Sequence, residues 1–103
     1  MVFSVQQIKF EFLMYIKEFG GRAEDWQVGT CSDPRAAMFE SGKVDESADI
    51  WLWKPAMTPQ AAAMIYRFMT QQFRVNPAPF SVSGPDCACV FLYKVRDEQT
   101  IAS

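Results

Sequence analysis

The apolar positions of the chain fall into blocks whose spacing changes from helical to extended and back. Val5, Ile8, Phe12, Tyr15, Ile16 and Phe19 recur at intervals of three and four, which predicts a helix over residues 4–19. Ser4 and Gln7 form a capping box, Phe3 is placed to staple onto Ile8, and Gly20 with Gly21 ends the helix. Trp26, Val28 and Thr30 then alternate with Gln27, Gly29 and Cys31, the period of a strand. Asp33 offers an N-cap and Pro34 a first helical residue for a two-turn helix over 34–40, anchored by Met38 and Phe39 and stopped at Gly42. Residues 43–49 form a charged loop. A second strand covers 50–54, with Ile50 and Leu52 facing one way, Trp51 and Trp53 the other, and Pro55 breaking it.

Thr58 caps a third helix that opens on Pro59 and runs to about Phe73. Ala62, Ile65, Met69 and Phe73 make its main stripe, with Ala61, Met64 and Phe68 beside it. Residues 74–86 hold Pro77, Pro79, Gly84 and Pro85 and show no periodicity, so they read as loop. The last strand spans 87–95, with Cys87, Cys89, Phe91 and Tyr93 on one face and Ala88, Val90, Leu92 and Lys94 on the other. These blocks predict an α+β domain over residues 1–96, ordered helix-strand-helix-strand-helix-strand. The sheet is expected to be small, three-stranded and mainly antiparallel, with the long third helix on one face and a frayed tail over 97–103.

Composition narrows the function classes. At 103 residues the chain makes one domain, and with half its residues apolar and 15% aromatic it has enough to fill one core. No apolar run approaches the ~18 residues of a membrane span, and no basic leader with an apolar core opens the sequence. A cytoplasmic protein without membrane contact is the expectation. A net charge of −2, with ten basic residues scattered along the chain, argues against a nucleic-acid partner. The absence of histidine removes the commonest general base and metal ligand. Three cysteines, an odd number, make no disulfide framework.

The sequence Trp26-Gln27-Val28-Gly29, a short spacer, Asp33-Pro34 and a helix resembles the second strand and following helix of the GIY-YIG nuclease family. The nearest likeness is to its small bacterial stand-alone members, which also begin with a helix. The similarity continues at Val44-Asp45, at the tryptophan-rich strand, at the helix after Thr58 and at the closing strand. In that family, paired tyrosines and a helix arginine orient water and phosphate, and a glutamate on a later helix holds a divalent metal. Here Gln27 falls at the tyrosine position, Ala36 and Ala37 at the arginine position, and Tyr66 at the glutamate position. Arg35 comes one place early, about 100° round the helix. The resemblance therefore implies a scaffold that has lost its catalytic groups, because single-metal phosphodiester hydrolysis needs a carboxylate for the ion and a cation for the phosphate.

Several residues keep two readings. Phe10 and Met14 lie opposite the main apolar face of the first helix, as a second buried side or as a homodimer contact. Trp51 and Trp53 either stack on a ligand or base, or cover a packed element. Trp26, Gly29, Arg35 and Arg67 are further binding candidates, Gly29 because a glycine within a strand marks a bulge or a close approach. Cys31, Cys87 and Cys89, with Asp33 or Asp86, are candidates for a zinc or redox site, against the alternative of buried thiols acting as small hydrophobes. Asp45, Glu46 and Asp49 lack the spacing of an EF-hand loop. The expected role is a non-enzymatic binding or assembly module without cofactor, acting as a homo-oligomer or with a protein partner. The alternative is a nuclease or nucleic-acid binder with a relocated site at Arg35, Tyr66 and Arg67.

Overall fold

A computed structural model describes residues 2–95. The expected tail over 97–103 lies outside the described residues. Helix α1, Val5–Phe19, starts where the capping box requires: Ser4 Oγ accepts from the Gln7 amide at 3.2 Å, and Gln7 Oε1 accepts from the Ser4 amide at 3.0 Å. Gly20, at φ 78°, ends it in a conformation that costs glycine little. Ile8 and Phe12 are fully buried, each contributing on the order of 1.5–3 kcal/mol.

Strand β1, Trp26–Cys31, is followed by a short helix, Arg35–Glu40, which closes with a π-type bond from the Ser41 amide to the Ala36 carbonyl. Asp33 caps that helix as expected, its Oδ1 accepting from the Arg35 amide at 3.1 Å. Strand β2, Trp51–Pro55, runs through Pro55 where a break was expected. The proline pairs with Cys89 at the sheet edge, a position where a missing amide donor is tolerated. Helix α2, Pro59–Arg67, begins with Thr58 Oγ1 accepting from the Ala61 amide at 3.0 Å and continues as a π-type turn over Phe68–Gln72. Strand β4, Cys89–Lys94, is the closing strand of the sequence pattern.

Among the described residues the sheet has four strands, a short β3 (Asn76–Pro77) joining the other three in the order β2-β4-β1-β3, which corrects the three-stranded expectation. The extra strand β3, Asn76–Pro77, pairs parallel with Gln27 and Val28. It is anchored by bonds no composition signal announces: the Ala78 amide donates to Val28 O at 2.8 Å, and the Val82 amide to Thr30 O at 3.0 Å. The stretch read as free loop therefore shields the outer edge of β1. β1–β4 and β4–β2 are antiparallel, as expected.

The two sheet faces carry separate cores. Between the sheet and the α1–α2 layer lie Ile8, Phe12, Trp26, Val28, Ile65 and Leu92. On the other face, Cys31, Met38, Val44, Phe91 and Tyr93 pack beneath the short helix, with Trp51 and Trp53 at their margin. The strand alternation read from the sequence accounts for this division: Ile50 and Leu52 go to the first core, Trp51 and Trp53 to the second. Helix α1 also guards the free edge of β2. Tyr15 donates from its hydroxyl to Trp51 O at 2.7 Å, Lys54 pairs with Glu11 at 3.4 Å, and the Phe3 amide donates to Pro55 O at 3.0 Å.

Candidate functional site

The space beside Gly29, a binding candidate of the strand pattern, is occupied by side chains. A Cβ placed on Gly29 would lie 2.4 Å from Phe91 Cζ and 2.9 Å from Ser81 Cβ. Phe91 is fully buried and stacks on Phe80 with centroids 5.0 Å apart and planes 5° from parallel. Gly29 thus answers a close approach, as its place in a strand predicts, but the approaching group is the ring of the neighbouring strand. It offers no free binding surface.

Gln27 has a different environment. Its Oε1 accepts from the Tyr93 hydroxyl, and the pair borders a cavity of about 200 Å³ with Lys43, Asp49, Phe80 and Lys94. Burial pushes the Tyr93 hydroxyl up to about 12, with the nearby Asp49 carboxylate adding to the shift, so the group stays a neutral donor through the physiological range. Lys94 also reaches the end of α1, donating to Phe19 O at 3.3 Å. Sequence reasoning missed Tyr93, Lys43 and Lys94 as site residues. The strand period had put Tyr93 on the Phe91 face, but nothing in it linked that face to Gln27, which depends on the cross-strand register Gln27–Tyr93.

The relocated site is not assembled. Arg35 sets Nη2 2.8 and 2.9 Å from the two carboxylate oxygens of Glu46 and lies over the Phe39 ring, on the second-core side of the sheet. Tyr66 packs against the first core on the opposite side and borders a 230 Å³ cavity with Thr30 and Ser81. Arg67 lies further along α2, beside a cavity shared with Lys9, whose ammonium stands 4.1 Å from the Phe68 centroid. Ala36 and Ala37 are half-buried; Ala37 packs against the second core.

The three tryptophan candidates have packing contacts. Trp26 is fully buried, its indole N–H donating to Gly20 O at 3.3 Å, so it is a core residue rather than a binding surface. Trp51 and Trp53 are half-buried against the second core. Trp51 meets Phe39 edge to face at 4.8 Å and donates from its indole to Glu46 O at 2.9 Å, contacts that fit the covering of a packed element. Phe10 and Met14 behave otherwise: they stand 64% and 47% exposed, so the reading of a helix buried on two sides fails.

Cys31 and Cys89 are direct cross-strand partners, and all three cysteines are free. Burial, reinforced by the other two thiols and by Asp33, pushes Cys31 up to about 12; Cys89 is raised chiefly by burial. Protonated thiols are poor ligands and poor nucleophiles. Among the described residues no group of three or more histidine, cysteine or acidic side chains could hold a metal ion, so the zinc candidate of Cys31, Cys87 and Cys89 with Asp33 or Asp86 as fourth ligand has no structural counterpart. Nor is any helix among them long and apolar enough to cross a membrane.

Comparison of the chain with protein-family models, with characterised proteins and with solved structures found no match to any of them.

Proposed function

We propose that this chain is a non-enzymatic assembly module on a nuclease-like scaffold, and that it self-associates through the outer face of α1. The observation that carries the reading is the exposure of Phe10 and Met14, one helical turn apart on the side of α1 turned away from Ile8 and Phe12. Clustered exposed apolar side chains mark association surfaces more often than isolated ones do. The non-catalytic half of the reading is supported by Gln27, Ala36, Ala37 and Tyr66, which stand where the resembled family carries its tyrosine, arginine and glutamate.

The face is self-complementary. Two α1 helices packed antiparallel about a two-fold axis at the level of Phe12 bring Phe10 against the partner's Met14, a favourable ring–sulfur contact. The same arrangement sets Gln7 against the partner's Lys17 and Gln6 against the partner's Glu18, so no like charges meet. A single helix pair falls at the small end of interface sizes, below about 1,200 Å², so association at tens of micromolar and above is the expectation. Light scattering across that range tests it, alongside a Phe10→Glu variant and a plasmid-nicking assay with magnesium. A rising mass for the native chain alone, with intact plasmid, supports the proposal. A monomer at every concentration, or nicking that survives repurification, overturns it.

A further inference from the structure

The cavity beside Gln27 has a composition that the α1 pairing does not use. Its charged lining comprises Lys43 and Lys94 against Asp49, an excess of one positive charge. Its apolar side is Pro79 with Phe80, whose ring stacks on both Phe91 and Tyr93. At its base, the Gln27 amide oxygen is engaged by the Tyr93 hydroxyl, which leaves the amide nitrogen and its two hydrogens as the donor that Gln27 can offer a guest.

We propose that this cavity binds a small organic monoanion with a flat apolar body, of the aryl carboxylate class. The volume, about 200 Å³, is below the 300–1,000 Å³ of pockets for drug-sized ligands, so one ring with its acid group is the size that fits. A carboxylate matches the single excess positive charge and accepts from ammonium and amide donors together. A phosphate dianion would overmatch that charge and leave the Phe80 wall without a contact. A neutral amide would fill the space but leave a lysine to be desolvated without an anion in return. The raised Tyr93 value keeps the phenol protonated through the neutral range, where a carboxylate is already ionised, so the Gln27 amide stays oriented there.

The test is a titration of isotope-labelled protein with sodium benzoate, benzamide and inorganic phosphate, followed through the backbone amides of Gln27, Lys43 and Tyr93. Benzoate is expected to give saturable shifts there, with benzamide about tenfold weaker, since a charge-assisted bond of about 1.5 kcal/mol is a tenfold change in affinity. Phosphate should give no saturable shift. Lys43→Gln, at an exposed position, should weaken benzoate about tenfold with the rest of the spectrum unchanged. Phe10→Glu should leave benzoate binding as it is, which separates this site from the α1 face. The proposal is overturned by no saturation with benzoate, by equal binding of benzamide or phosphate, by shifts that centre elsewhere, or by an unchanged affinity in Lys43→Gln.

Discussion

Gly29 and Phe91 are directly paired across β1 and β4, and the Phe91 ring fills the volume that a side chain at residue 29 would need. The fit is one-sided: the ring is fully buried and held in a stack with Phe80, so it has little room to retreat. Gly29→Ala is therefore expected to destabilise the fold by about 2–3 kcal/mol, the upper part of the range for overpacked cores. A denaturant midpoint lowered with an unchanged slope is the result that checks it.

Alkaline pH is expected to weaken the fold in a defined window. Cys31 and Tyr93 are both pushed up to about 12 in the folded chain, from ordinary values of 9.0 and 10.0. A raised value means that the folded state holds its proton longer than the unfolded one. The stability tied to it is complete below about pH 9 and declines as pH rises towards 12. Thermal melts from pH 8 to 11.5 should fall steadily, and Cys31→Ala with Tyr93→Phe should flatten the decline.

Arg74 holds the left-handed conformation, φ 62°, just past the turn that ends at Phe73. The bond from the Val75 amide to Met69 O, 3.0 Å, fixes the chain there, in the place where helices usually carry glycine. Arg74→Gly is expected to stabilise the protein by up to about 1 kcal/mol, since it removes the clash of Cβ with the following carbonyl. The melting temperature reads the outcome; a decrease would show that the Arg74 side chain contributes something its backbone does not.

Much of the fold was legible because it rests on apolar spacing and local caps. The Ser4–Gln7 box and the Thr58 cap follow from polar side chains placed at the start of an apolar helical pattern, and the division of Ile50 and Leu52 from Trp51 and Trp53 follows from the strand period of 2. What was not legible depends on long-range pairing. Strand β3 is two residues long, contains a proline and has no period of its own, so only its bonds to β1 reveal it. Pro55 reads as a breaker until its edge position is known. The candidate site divided in the same way. The outward direction of Phe10 and Met14 could be read from helical spacing, but the meeting of Gln27 with Tyr93, 66 positions apart in sequence, could not.

The α1 pairing can be tested for its register as well as its existence. In the antiparallel arrangement, residue 10 of one chain faces residue 14 of the other on both sides of the two-fold axis. Phe10→Glu alone and Met14→Lys alone each replace an apolar partner with a charge, whereas the double variant sets glutamate against lysine twice. The decisive measurement is sedimentation equilibrium of the native chain, the two single variants and the double variant at matched concentrations. The native chain is expected to be a dimer and the single variants monomers, with partial recovery of dimer in the double variant that is lost at high salt. A native chain that sediments as a monomer throughout, or single variants that dimerise as the native chain does, would contradict the α1 pairing.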